Sequence, residues 1–370
     1  MTISNMSLRR GIKALLFFYA SLAYSAQITD LLKSSDVVVI GAPTSFTNRA
    51  DGTLINLSII QWLSPASSGT PASVQVLATL LPSEQHSVIP AAPEKSVPGI
   101  WFLKSQSDGT YTPQSVNRVL NFFIAADRGA CPGSLTYPPD APLTDKIALE
   151  LACAASKESG PPGAFSGSMV AATYGLGISQ RVHDAFMYLA QLPGSRQKAI
   201  GIACLIGAKD LMGLALLEQH VQELTDYELQ VIVGTTILSW RNTDPIAIGS
   251  LGRIVTGSRG TGAFLKYAGV ALREIHTADT LPYLRLLLDN PDRNARKDAI
   301  GGFVSFIMGY PVHTPENHLT MEFMKASPTP YSTDTAWRQF AISADPSDAQ
   351  LQAAVTFWKQ WLNSHPELPQ

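Results

Sequence analysis

Residues 270–303, VALREIHTADTLPYLRLLLDNPDRNARKDAIGGF, constrain this chain most, because they set out three short amphipathic helices in succession. Leu272 and Ile275 close the first, and His276-Thr277-Ala278-Asp279 make a turn. Leu281, Leu284, Leu287 and Leu288 then recur at helical spacing on the second. Asn290-Pro291-Asp292 interrupts the chain, since proline cannot continue a helix and pushes the residue before it toward extended geometry. Beyond that break Arg296, Ala299, Ile300 and Phe303 begin a third helix. Helices this short are marginal alone in water, so each must bury its apolar stripe on a neighbour. The segment predicts a stack of helical hairpins.

Further helices are expected over 180–191, 195–207, 211–224, 227–239, 261–275, 281–288, 294–308 and 348–363. Residues 143–156 share the spacing, and the Gly- and Ser-rich stretch 159–177 suits a loop or an irregular helix. An internal echo supports repetition: Lys198-Ala199-Ile200-Gly201 and Asp298-Ala299-Ile300-Gly301 each open a helix after a Pro and a basic residue. The Leu, Pro, Asp and Arg of 270–303 stand where HEAT repeats carry them. Over roughly its last half the chain resembles bacterial secreted HEAT-repeat proteins. That resemblance implies a HEAT-like α-solenoid over 147–370, a protein-binding surface and no cofactor. A solenoid needs a cap at its end, and 348–363 suits one. There Leu351, Ala354, Val355, Trp358 and Leu362 share a face, Trp361 lies at its edge, and Ser347 can cap the start. Repeats of phycobilisome lyases, which attach chromophores, are similar, but no residue here matches a lyase site.

Residues 36–112 read differently. Short β-branched and aromatic runs at 36–42, 53–63, 72–81 and 99–104 are separated by turn residues, with Asp51-Gly52 and Asp108-Gly109 as hairpin turns. So small a sheet has to close to protect its edges, and the strand order resembles an OB-like β-barrel, with a β-sandwich fragment as the alternative. Residues 113–146 connect this domain to the helices, with Pro, Gly and Asp concentrated after 126. The expected fold is mainly α, with a small β domain ahead of the solenoid.

At the N-terminus, Arg9, Arg10 and Lys13 precede the apolar run 14–23 and the small residues of Ala23-Tyr24-Ser25-Ala26. That order is a signal peptide, assigned to 1–26, which predicts an exported protein, periplasmic or extracellular, without stable membrane insertion. The run falls short of the about 20 residues that span a bilayer, which disfavours an uncleaved anchor. In an oxidising compartment Cys131 and Cys153 could form a disulfide, whereas Cys204 sits in an apolar helix and reads as packing. A net charge of −2, without clustered Lys and Arg after residue 13, argues against nucleic acid as a partner.

Catalytic motifs are sparse. Ser195-Arg196-Gln197-Lys198 matches the Ser-x-x-Lys of penicillin-recognising hydrolases but lacks their Ser-Asp-Asn and Lys-Thr-Gly partners, so Ser195 reads as a helix cap. The Gly-rich 257–262 lacks the Gly-Lys-Ser/Thr of a phosphate loop. His313, Glu316 and His318 are the best metal candidates, although Pro311 and Pro315 interrupt any helix that would align them. His183, His220 and His276 are isolated. Trp62 and Trp101 would mark saccharide or oligonucleotide binding by the barrel if exposed on one face. The leading expectation is a non-enzymatic scaffold that binds another protein, with Arg293, Asn294 and Arg296 on an inter-helix turn as the nominated surface. The competing expectation is an envelope-associated hydrolase or metal-dependent enzyme with its site between the two domains.

Overall fold

The computed structural model describes residues 27–64, 71–78, 98–116, 119–120, 123–124, 131–157, 178–233, 236–237, 244–257, 269–311, 325–341 and 346–369. The expected signal segment 1–26, the Gly- and Ser-rich 159–177, residues 258–262 and the candidates His313, Glu316 and His318 lie outside them. The chain divides into two compact units, Met1–Cys204 and Leu205–Gln370, and the division falls inside one helix.

The first unit opens with α1 (Gln27–Ser34) and a run of strands, β1 (Val37–Arg49), β2 (Gly52–Ser64), β3 (Ser73–Ala78), β4 (Gly99–Ser105) and β5 (Tyr111–Pro113). Their order is β1-β2-β3-β5-β4, and β1 returns to pair with β4, so five strands close into a small barrel. All these pairings are antiparallel except β3 with β5. Closure requires β1 to serve two partners. Register shifts at Val38/Val39, Ile40/Gly41 and Pro43/Ser45 bend it to do so, as bulges do. At the bend, a side chain on Gly41 would collide with Leu57 and the Ser58 carbonyl. The Gly41 carbonyl there accepts the Trp101 indole N–H at 3.0 Å.

Alternation along the strands turns Val37, Val39, Ile55, Leu57, Val74, Val76, Trp101 and Leu103 into one buried core. Strand β1 runs well past the expected 36–42. In its second half buried Pro43 and half-buried Phe46 are scattered among exposed Thr44, Thr47, Asn48 and Arg49, so no alternating hydrophobic pattern marked it. A short hairpin, β6 (Ser115–Val116) with β7 (Val119–Leu120), and an edge strand β8 (Phe123–Ile124) on β4 follow.

Among the described residues three helices follow: α2 (Leu143–Ser156), α3 (Gln180–Gln191) and α4 (Ser195–Gly207), whose last residues belong to the second unit. Helix α2 packs against β2, β8 and α3, and every residue from Asp145 to Ala155 is buried. The turn Gly133–Leu135 wedges against both α2 and α3 through buried Leu135. A disulfide, Cys131–Cys153, ties this segment to α2 with Cα atoms 5.6 Å apart, well inside the range such a bond needs.

In the second unit α5 (Leu211–His220), α6 (Pro245–Gly257), α7 (Leu281–Leu287), α8 (Arg293–Met308) and α9 (Asp348–Asn363) each pack on the next in sequence. Helix α6 was not expected. It is punctuated by Gly249 and Gly252, and Gly252 lets the Tyr283 ring lie directly on its backbone. Residues 228–233 form a π-helix where an α-helix was expected. The helix ends obey side-chain capping. Asp292 accepts from the Asn294 and Ala295 amides at 2.6 and 3.2 Å, and Gly309 closes α8 in the left-handed region at φ 62°. Ser347 and Gln350 form a reciprocal capping box on α9. Trp358 is fully buried against Phe303, with rings stacked at 5.3 Å, and Trp361 is buried beside it. Among the described residues no helix is long and apolar enough to cross a membrane.

Candidate functional site

Of the nominated surface Arg293, Asn294 and Arg296, only Asn294 is exposed. Arg293 donates to the Asp348 carboxylate and to the Pro346 carbonyl, so its guanidinium joins the start of α8 to the start of α9. Arg296 lies half-buried one turn further on. Arg293 therefore serves the joint between two helices. Asp289, in the turn after α7, forms a second ion pair to α9 through Lys359.

The second unit carries a different exposed feature. Met212 on α5, Ile246 on α6 and Leu286 on α7 are 44%, 68% and 56% exposed, one large apolar side chain on each of three successively packed helices. Isolated exposed apolar residues need no explanation, but their repetition along a stack places one apolar contact per helix in solvent. Sequence reading missed them because the segment of Ile246 was not read as a helix, and Met212 and Leu286, the latter off the Leu281, Leu284, Leu287 and Leu288 stripe, were given no role. The available signal was local: Met212 follows the capping Asp210, and Ile246 follows the helix-opening Pro245, so each sits in a first turn.

Polar groups on these helices are matched in place. Arg253 on α6 grips Glu218 on α5 through bonds of 2.8 and 3.1 Å, and this fork holds the Glu218 carboxyl below the usual carboxylate range. Arg273 reaches Asp298 on α8 at 2.9 Å and its own neighbour Glu274 at 2.8 Å. His276 adopts a left-handed backbone at φ 61°, and its Nδ1 donates to the Tyr310 and Pro311 carbonyls at 3.0 Å each. Burial pushes its pKa below the ordinary 6.5, leaving it neutral and structural at physiological pH.

The remaining nominees are dispersed. Trp101 is 4% exposed inside the barrel, and the half-buried Trp62 donates to the Pro71 carbonyl at 3.3 Å, so the two do not form a stacking platform. Ser195 opens α4, Lys198 is buried one turn later, and Cys204 is a buried free thiol. Among the described residues no three His, Cys, Asp or Glu side chains come together as metal ligands.

Buried ionisable groups gather instead on α2. Tyr137 donates to Glu150 at 2.6 Å, Gln61 of the barrel donates to Tyr137 at 3.3 Å, and Ser179 donates to Asp145 at 2.6 Å. With Lys146 reaching the Leu63 carbonyl at 3.5 Å, the Gln61–Tyr137–Glu150 bonds fasten α2 to the barrel, while the Ser179–Asp145 bond ties it to the start of α3. Comparison with protein-family models, with characterised proteins and with solved structures finds no match.

Proposed function

We propose that the chain is an exported, non-enzymatic scaffold in which an OB-like barrel precedes a HEAT-like α-solenoid that binds another protein. The observation that carries the repeat reading is the echo between α4 and α8. Ala199 and Ile200, like Ala299 and Ile300, are fully buried, while Lys198 and Asp298 are both nearly so. Gly201 meets the backbone of α3, whereas Gly301 meets the Arg273 side chain, from a segment ahead of α7. Matching burial of Ala199 and Ile200 with Ala299 and Ile300, a hundred positions apart, supports repetition of one structural unit.

The β1-β2-β3-β5-β4-β1 closure supports the OB-like description, and the Cys131–Cys153 disulfide supports export to an oxidising compartment. Protein recognition is assigned to the helices that carry the exposed Met212, Ile246 and Leu286, because such stacks bind through extended surfaces. The competing enzymatic reading rests on His313, Glu316 and His318, outside the described residues.

The test is to install a photo-crosslinking amino acid singly at Met212, Ile246 and Leu286 in the native cells and identify adducts by mass spectrometry. One protein recurring at two or more of these positions, and lost when Ile246→Glu is added, is the expected result. Absence of any protein adduct at all three positions overturns the reading.

A further inference from the structure

We propose that the outer face of α9 is an interface for a second copy of this chain, the two α9 helices running antiparallel about a two-fold axis. A groove of about 450 Å³ runs along that face, lined by α9 residues from Ala349 to Gln360 and by Phe340. Among the described residues nothing fills it.

The inner face of α9 is already occupied: Leu351, Ala354, Val355, Trp358, Trp361 and Leu362 are buried, and the helix packs on α8 and on the turn Ala336–Phe340. The groove follows two rows at a spacing of four residues, Ala349-Ala353-Phe357 and Gln352-Thr356-Gln360. The first row is a trough at one end and a ridge at the other. Ala349 and Ala353 are small and exposed, whereas the half-buried Phe357 ring stacks on Phe340 with centroids 4.2 Å apart. Ala353 lies midway, four residues from each. A two-fold axis through Ala353 therefore lays the ridge of each copy in the trough of the other. Such self-complementarity is what an isologous interface requires, and interdigitated rows of this spacing are the commonest way two helices pack.

Charge favours a second copy as the occupant. Between Asp348 and Asn363 the only ionisable residue is Lys359, and Asp289 holds it. Two copies of a charged face would repel, while this face meets itself without like charges. The amides of Gln352 and Gln360 and the Thr356 hydroxyl each donate and accept, so the second row also matches its own kind. Antiparallel helices set each positive N-terminal end beside the negative C-terminal end of the other. The contact is small. A helix of 16 residues is about 24 Å long and about 10–12 Å wide, a footprint short of the about 800 Å² per partner of standard stable complexes. The pairing is accordingly weak and reversible. It rests on α9 and its flanking turn, not on protein binding by Met212, Ile246 and Leu286.

Sedimentation velocity of the full-length protein from about 1 to about 500 µM tests the proposal, and a monomer–dimer equilibrium with a dissociation constant of about 10–100 µM is expected. Ala353→Glu places like charges on the axis and is expected to weaken dimerisation tenfold or more, and mixing Ala353→Glu with Ala353→Lys is expected to restore it. Mild oxidation is expected to link Ala353→Cys chains to one another, because a residue on the axis meets its own copy. Ala349→Cys, which faces Phe357 of the second copy, is expected to stay unlinked. Both positions are exposed, and unchanged thermal melts confirm that the variants fold. A monomer at every concentration, the result if another segment of the chain or a different protein occupies the groove, overturns the proposal. So does dimerisation undiminished by Ala353→Glu, a mixture that fails to recover, or cross-linking as efficient at position 349 as at 353.

Discussion

The barrel and the second-unit helices solve the same burial problem by opposite means. In the barrel the core joins residues far apart in the chain, such as Val39 with Trp101 and Leu57 with Val74, and closure depends on one bulged strand pairing with two others. In the second unit α5 to α9 each pack on the next, so burial is assembled from neighbour to neighbour. The first arrangement should fail as a whole when one strand is lost, while the second, on the proposed solenoid reading, should fail outward from the damaged helix. Damage to a terminal helix and damage to a tie on the barrel should therefore leave different signatures.

The largest effect is expected at the end of the stack. Trp358→Ala removes a fully buried ring that stacks on Phe303 and donates to the Phe340 carbonyl at 3.2 Å, so it should cost about 3–5 kcal/mol. Hydrogen exchange should show the loss graded along the helices, strongest at α9 and α8. Uniform loss through α5 would contradict neighbour-to-neighbour burial. Next comes the first unit. Replacing Cys131 and Cys153 by serine removes a bridge spanning a sequence separation of 22 residues, which should cost about 3 kcal/mol. Denaturant unfolding followed by Trp62 fluorescence should then report one earlier transition for the barrel together with α2, because Tyr137, Glu150 and Gln61 link them. Two separated transitions within that unit would show that α2 is not part of the barrel's cooperative body.

How much of this was legible in sequence follows from the same contrast. Residues 281–303 announced their helices because burial there is local, and period, proline break and cap all lie within one segment. The barrel strands 53–63 and 99–104 were legible for their alternation, yet the register that closes β1 on β4 is set by pairs about 60 residues apart and leaves no local trace. Helix α6 escaped because its glycines, which read as loop signals, serve the close approach of Tyr283. The exposed apolar residues and the bonded row of Ser45, Asn56 and Gln75 escaped for a shared reason. Ile246 and Leu286 have the residue types of a core, Ser45, Asn56 and Gln75 those of solvated surface, and only tertiary placement distinguishes them. Arg293 went the other way: a charged residue in a turn reads as free surface until Asp348 and Pro346 arrive from 53 or more residues later.

Acid should act on the stack through His276. Burial lowers its native pKa below 6.5, and the unfolded chain, where the ring is solvated, binds the proton more readily. Above pH 6.5 both states are neutral at this site and it adds no pH dependence. As pH falls below 6.5 the unfolded state gains protons first, so stability declines, by at most about 1.4 kcal/mol per pH unit, until the native pKa is passed. Glu274 and Arg273 stand close enough to temper the slope in opposite directions. His276→Asn, which tolerates the left-handed backbone, should flatten the profile between pH 6.5 and 5 in urea titrations, and an unchanged slope would assign the acid sensitivity elsewhere.

The smallest effect tests how local the stack is. Ser347→Ala breaks half of the capping box, in which Ser347 Oγ accepts from the Gln350 amide at 3.3 Å and Gln350 Oε1 accepts from the Ser347 amide at 2.7 Å. Asp292→Ala uncaps α8, and each change should cost about 1 kcal/mol. If every helix stabilised itself separately, the two losses would add within about 0.5 kcal/mol. Arg293 lies one residue from the first cap and bonds Asp348, one residue from the second, so the caps share a partner. Asp348 is 91% exposed, which limits that coupling to a few tenths of a kcal/mol. A double-mutant cycle should find this small coupling in the wild-type background and none after Arg293→Ala. A coupling that survives Arg293→Ala would mean that the packed faces of α8 and α9 transmit the loss, and that the stack is cooperative beyond its neighbour contacts.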